Sequence, residues 1–205
     1  VLNLEDNQIN DFSGLNQIKD ISSYFIISNN NAENINIESL ETVGSFMYIN
    51  DMNNLTSLTL PKLNSANYIN LLRNNNLVNY ETPLLRNVNV DYLIDSNSIE
   101  NINLDGLTVG RDLFIRYNKG SLLNIQQDNL VKVGRDYHVI DNDIEQLDIN
   151  VTDRIGRHFY IRDNENLKNI NIETIPLLGW SLQIQNNNSL ERIYIKDIQS
   201  QNGNT

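Results

Sequence analysis

The chain has 205 residues, with 26 acidic against 15 basic side chains and a formal charge of −11. No Lys/Arg cluster stands ready to neutralise a phosphate backbone, so neither nucleic acid nor an anionic membrane surface is an expected partner. Cysteine is absent, which removes a disulfide framework, a cysteine zinc site and a thiol nucleophile. Apolar runs are only a few residues long, far short of a transmembrane segment, and the first residues carry no basic-then-apolar leader pattern.

In chain order, Val1 to Leu4 read as the end of a coil, and an irregular repeat closing at Ile35 and Ile37 follows. Seven copies then run from Glu38 to Leu60, Pro61 to Thr82, Pro83 to Leu104, Asp105 to Gln127, Asp128 to Ile149, Asn150 to Ile172 and Glu173 to Ile195. The stretch from Ile195 to Thr205 reads as the start of another, so the chain is expected to be one repeat domain, 1–205, within a longer array. One such unit cannot bury its apolar side without neighbours above and below.

Within each copy two short segments alternate apolar and polar residues. Met47 and Ile49, Leu113 and Ile115, Tyr137 and Val139, Phe159 and Ile161, and Leu182 and Ile184 mark the first. Leu58 and Leu60, Ile102 and Leu104, Leu147 and Ile149, Ile170 and Ile172, and Ile193 and Ile195 mark the second. A period of two indicates strands with one buried face. Strands that return every 22 residues or so in the same direction must pair in parallel with their copies. The predicted fold is therefore all-β, a parallel β-helix of about eight coils wound around a Leu/Ile/Val interior. Gly44, Gly110, Gly134, Gly156 and Gly179 precede the first strand, where positive φ or close backbone approach suits glycine. Asn67 and Asn87 or Asn89 stand there in two copies.

Asparagine is unusually frequent, 38 residues against only 6 Lys. An AT-rich gene would raise both, so a structural demand explains the asparagines better. Asn30, Asn74, Asn97, Asn118, Asn142, Asn164 and Asn187 each follow the last inward residue of a first strand by three positions. Met52 interrupts the column, and Asn53 beside it is taken as that coil's member. The column is expected to turn its amides inward and bond adjacent coils; the alternative is that Asn simply favours turns.

The run LETVGSFMYINDMNNLTSLTLPKL, Leu40 to Leu63, resembles repeats of the receptor L-domain superfamily, and more closely the L-domain-like repeats of fungal GPI-anchored cell-wall proteins and bacterial surface proteins. The likeness spans nearly the whole chain. It implies a right-handed, leucine-rich-repeat-like solenoid with a non-enzymatic role at an extracellular or cell-surface location.

By parity, the outward positions of the first strands form three columns. The middle one holds Tyr48, Asn70, Leu93, Phe114, His138, Tyr160 and Gln183; the one before it holds Phe46, Tyr68, Asp91, Asp112, Asp136, His158 and Ser181; the one after it includes Arg116 and Arg162. Outward positions of the second strands are almost wholly polar. A patch of rings and arginines is the composition of an interaction site. The candidate binding residues are thus Phe46, Tyr48, Tyr68, Leu93, Phe114, Arg116, His138, Tyr160 and Arg162, with a protein or a cell-wall glycan as partner. Cross-strand ring pairing that only stabilises the sheet is the competing explanation.

Asp112 and Asp136, with Arg111, Arg135 and Arg157 beside them, suit an ion-pair ladder better than a Ca²⁺ or acid–base site. His138 and His158 lack a third recurring donor. No catalytic residue, metal ligand or cofactor is assigned. Sequons at Asn54, Asn150 and Asn187 allow glycosylation, at a number that chance alone explains. Two further functions remain open, end-to-end assembly of the solenoid into a filament and a carbohydrate-active enzyme on the same scaffold.

Overall fold

The computed structural model describes residues 1–120 and 123–200. It is a parallel β-solenoid of about nine windings of about 23 residues, and among the described residues it contains no α-helix, only a 3-10 turn at Ser13–Leu15. Among the described residues no helix is long and apolar enough to cross a membrane.

Nine strands build the first face: Leu2–Glu5, Phe25–Ser28, Thr42–Asn50, Ser65–Leu72, Tyr92–Asp95, Leu113–Arg116, Tyr137–Ile140, His158–Arg162 and Ser181–Gln185. Each pairs in parallel with its copies in the adjacent windings. The extra winding comes from Leu2–Glu5. This segment opens a coil in register with Phe25–Ser28 rather than ending one, because Leu2 and Leu4 turn inward and Asn3 and Glu5 outward as in a first strand. Of the stretch from Ile195 onward, Ile198–Ser200 pairs with the Asn169–Leu178 strand, and 201–205 lie outside the described residues.

The second strands form three separate groups, beginning with Asn34–Asn36, Ser57–Thr59 and Asn79–Glu81. Asn101–Asn103 pairs with Asn124–Gln126. Residues Gln146 to Ile149, Asn169 to Ile172 and Arg192 to Ile195 complete the set. A third face was not foreseen. Two-residue pairings at Asp20–Ile21, Asn87–Val88 and Thr108–Val109 stack with Thr42 and Val43, Ser65 and Ala66, and Lys132 and Val133. Each contributes one inward residue, too little for alternation to reveal.

The interior is a set of apolar columns. Met47, Ile69, Tyr92, Leu113, Tyr137 and Phe159 form one, and Ile49, Leu71, Ile94, Ile115, Val139 and Ile161 another, all essentially without exposure. At roughly 1.5–3 kcal/mol per fully buried large side chain, these columns are the main stabilising force. Two rings bring polar atoms inside, and both are satisfied. The Tyr92 hydroxyl lies 2.7 Å from that of Tyr80, and Tyr137 donates to Gln127 Oε1 at 3.0 Å.

The five glycines that precede first strands serve close approach, not positive φ. A Cβ on Gly110 would sit 1.9 Å from the Asn89 carbonyl oxygen, and one on Gly134, Gly156 or Gly179 would sit 1.9–2.0 Å from the oxygen of the glycine one coil before. Asn67 and Asn89 occupy this column where glycine is missing. Asn67 Nδ2 donates to Gly44 O at 2.6 Å, and Asn89 Nδ2 to Asn67 Oδ1 at 2.7 Å. Left-handed backbone falls instead at Asp6, Asn29, Asp51, Arg73, Ser96, Tyr117, Asp141, Asp163 and Asn186, with φ from 49° to 56°. These residues make one corner per winding.

The next residue at that corner is the ladder. Asn97 is representative: its Oδ1 accepts from Asn74 N (3.3 Å), and its Nδ2 donates to the carbonyls of Leu71 and Asp95 (both 3.0 Å). Asn118, Asn142, Asn164 and Asn187 continue the pattern, each Oδ1 taking the backbone N–H of the preceding member at 2.9–3.2 Å. Asn53 is not a member. Met52 fills the column fully buried, with its sulfur 3.4 Å from Asn30 N, and Asn53 is exposed.

Candidate functional site

Registers on the first face place Tyr48, Asn70, Leu93, Phe114, His138, Tyr160 and Gln183 side by side in one column. The rings do more than share a face. They stack along the coil axis in two clusters, which the columns alone did not reveal.

In the first cluster Phe46 is the centre, with Tyr24 at 5.3 Å, Tyr48 at 5.3 Å and Tyr68 at 4.2 Å between ring centroids. In the second, His138 lies between Phe114 (4.6 Å) and Tyr160 (4.7 Å), and His158 links Tyr160 to Trp180. Arg116 covers Phe114 at 5.2 Å, Arg162 covers Tyr160 at 4.4 Å and Arg157 covers Trp180 at 4.8 Å. Such pairs add roughly 0.5–1 kcal/mol each at exposed sites.

All nine predicted binding residues therefore fall on one face, divided between the two clusters and the gap that separates them. Two members were missed. Tyr24 precedes the first strand of the irregular repeat, and Trp180, 60% exposed, directly follows Gly179. Trp180 occupies the column that holds Arg111, Arg135 and Arg157 elsewhere, so attention to the residue after each glycine would have found it.

Between the clusters lies a groove of about 270 Å³, floored by Asn70 and Leu93 and walled by Tyr48, Tyr68, Phe114 and Arg116. It exists because two successive windings carry short side chains where their neighbours carry rings.

The aspartates beside it are structurally engaged. Asp91 accepts the backbone N–H of Asp112 (3.1 Å), Asp112 that of Asp136 (3.0 Å) and Asp136 that of His158 (3.1 Å). Each arginine pairs with the aspartate one coil earlier: Arg111 with Asp91 through both Nε and Nη2, Arg135 with Asp112 at 3.3 Å, Arg157 with Asp136 at 3.8 Å. Burial pushes the Asp112 carboxyl above the usual carboxylate range, opposed by the Asp136 N–H and Arg135. No group of three or more His, Asp or Glu side chains among the described residues is placed to hold a metal ion. His158 Nδ1 lies 2.8 Å from Ser181 Oγ.

Of the three sequons, Asn54 is exposed and Asn150 half-buried. Asn187 is a ladder residue whose Nδ2 donates to Ile161 O at 2.9 Å. A glycan there would replace one of the two hydrogens of a nitrogen engaged in the ladder.

His138 reports on the second cluster. Burial pulls its imidazole down to about 4, with Arg116, Arg162 and His158 adding to the shift and Asp136 opposing it. An unfolded imidazole titrates near 6.5. Between those values the folded state holds fewer protons, so the stability that this site contributes is complete above pH 6.5 and falls as the pH drops toward 4. Because the ring is half-buried, the loss is on the order of 1–2 kcal/mol after allowance for solvent screening. Urea unfolding of wild type and His138→Phe at pH 7.5 and 4.5 measures it. The variant should lack this part of the acid loss, and identical pH dependences would refute the assignment.

Comparison of the chain with protein-family models, with curated proteins and with solved structures finds no match.

Proposed function

We propose that this protein is a non-enzymatic binding or scaffold module of the cell surface or extracellular space, and that it docks a protein or a cell-wall glycan on the aromatic face of the first strands. The observation that carries this reading is the asymmetry of the solenoid. Rings and arginines are gathered on one outward face, whereas the second strands show columns such as Asn34, Ser57 and Asn79, or Asn36, Thr59 and Glu81. Sheet stabilisation alone would not require Trp180 or Tyr24 to stand 60% and 40% exposed. The bonds of Asp91, Asp112 and Asp136 to backbone and arginine weigh against acid–base work, which needs carboxyls free to exchange protons. The resemblance to L-domain-like surface repeats supports the location.

The test is retention of the purified protein on intact cells and isolated wall material of the producing organism. A Tyr48→Ser/Phe114→Ser/Tyr160→Ser variant with unchanged circular dichroism should lose at least about 100-fold in apparent affinity, since anchoring aromatics contribute roughly 2 kcal/mol each. Undiminished retention would refute the role of this face.

A further inference from the structure

We infer that the solenoid carries a joint: between the fourth and fifth windings its second face opens and closes as a wedge, with the first and third faces as the hinge. This goes beyond the docking role and does not depend on what the aromatic face holds.

The backbone is interrupted at this point. Asn34–Asn36, Ser57–Thr59 and Asn79–Glu81 pair in sequence, and Asn101–Asn103 pairs with Asn124–Gln126, but Asn79–Glu81 and Asn101–Asn103 do not pair with each other. On either side Leu60 N donates to Glu81 O (2.9 Å) and Leu104 N to Gln126 O (2.8 Å), whereas among the described residues no such bond runs from Thr82 N to Asn103 O. The two windings are still held at the near corner, where Glu100 N donates to Val78 O (3.2 Å) and Asn97 Oδ1 accepts from Asn74 N (3.3 Å). Past that corner they part around a cavity of about 210 Å³ whose lining includes Tyr80, Thr82, Ile102 and Gln126. Thr82 is half-buried there, although Leu60 and Leu104 of the same column are fully buried.

Side-chain type accounts for the gap. Inward positions of this face are aliphatic at Leu58, Leu60, Ile102 and Leu104, but the fourth winding has Tyr80 and Thr82. Tyr80 meets a second inward ring, Tyr92 of the fifth winding, hydroxyl to hydroxyl at 2.7 Å. A ring in place of an aliphatic side chain holds the windings apart, and the shorter Thr82 leaves the space beside it unfilled. Further opening breaks the phenol–phenol contact and apolar packing but no strand pairing, so this part of the core belongs to the low end of local stability.

The same combination recurs once. Asn124–Gln126 does not pair with the strand Gln146–Ile155, Gln127 stands in the aliphatic column, and Tyr137 of the next winding donates to it at 3.0 Å. Gln127 Nε2 is buried without a partner among the described residues. This second gap is bridged on both sides, by Leu123 N to Asp143 O (2.7 Å) and Asn150 N to Gln127 O (3.3 Å), so the first is the freer joint.

Across the first joint the other faces stay paired, Ile69 to Leu72 with Tyr92–Asp95 and Asn87–Val88 with Thr108–Val109. Phe46 and Tyr68 lie before it, and Phe114 and His138 after it. Its motion therefore changes the angle between the two ring clusters.

Because the chain has no cysteine, spin-label pairs can be introduced without background. Asn36→Cys/Gln126→Cys spans the joint on the second face. Thr42→Cys/Lys132→Cys covers the same windings on the third face, and each pair stands about 19 Å apart along the axis. Double electron–electron resonance should give the second-face pair a distance distribution at least about twice as wide as that of the third-face pair. Tyr92→Phe, which removes one hydroxyl of the latch, should widen it further. Tyr80→Leu/Thr82→Leu/Tyr92→Leu, which restores an aliphatic layer, should narrow it to the third-face width. Equal widths for the two pairs in the otherwise unchanged protein would overturn the joint, as would a width that neither variant moves. If the variants do not fold, the comparison of the two pairs decides alone.

Discussion

Gly134→Ala will cost the protein at least about 3 kcal/mol, lowering the melting temperature by roughly 8 °C or more. The new Cβ would lie 1.9 Å from the Gly110 carbonyl oxygen and 2.7 Å from its carbon. Both are backbone atoms, so no side chain can swing aside. Moving the winding would break the bond from Gly134 N to Val109 O (2.8 Å) and that from Arg135 N to Arg111 O (2.8 Å). The strain would pass to Gly156, which is equally close to Gly134. Gly14→Ala is the control: nothing lies within 4 Å of its added Cβ, and its effect should stay within about 0.5 kcal/mol. Indistinguishable melts for the two variants would show that the glycine column is not the close contact described.

The second large effect belongs to the asparagine ladder. Asn142→Ala removes the acceptor of Asn118 N (3.2 Å) and Asn118 Nδ2 (2.9 Å) and the donor to Ile115 O (2.8 Å). These groups are out of reach of water at a fully buried residue. At about 1–3 kcal/mol for each unsatisfied buried group, the expected loss is roughly 3–5 kcal/mol. Asn53→Ala, one step from the column and exposed, should change stability by less than about 0.5 kcal/mol. Denaturant unfolding reads both variants, and native-state hydrogen exchange should show faster exchange at Asn118 N–H in the first. Equal stabilities would assign the column to turn preference alone. Since windings touch only their neighbours, the exchange change should be centred on the windings around Asn142.

Much of this was visible in the order of residues. Columns such as Tyr48, Asn70 and Leu93 follow from a period of two inside a period of about 22, and the registers agree residue by residue. Other features left no trace because they depend on backbone rather than side-chain type. The left-handed corner is occupied by Asp, Asn, Arg, Ser and Tyr, so no glycine betrays it. Glycine marks the tight contact instead, which is why positive φ looked equally suited to Gly134. An otherwise unbroken asparagine column points to Asn53 beside Met52, yet burial at that depth accepts a thioether. The third face has too few residues per winding to show a rhythm. The ring clusters are legible as columns, but their separation into two with a trough between is a matter of side-chain volume at Asn70 and Leu93. Only the folded arrangement brings those two residues under Tyr68 and Phe114.

The glycine column also governs how such a molecule can change in length. From Gly110 onward each winding is fitted to its predecessor through the same carbonyl contact, so whole windings are interchangeable there. Duplication or loss of one complete turn beyond Phe114 preserves every contact around the trough. Successive ladder residues are 21 apart at Asn97 and Asn118 and 24 apart at Asn118 and Asn142, with the columns still in register; a few extra residues are absorbed at corners, whereas one inserted inside a paired strand would turn the residues after it to the wrong face. The architecture therefore lets evolution adjust the length of the ringed face without rebuilding the trough.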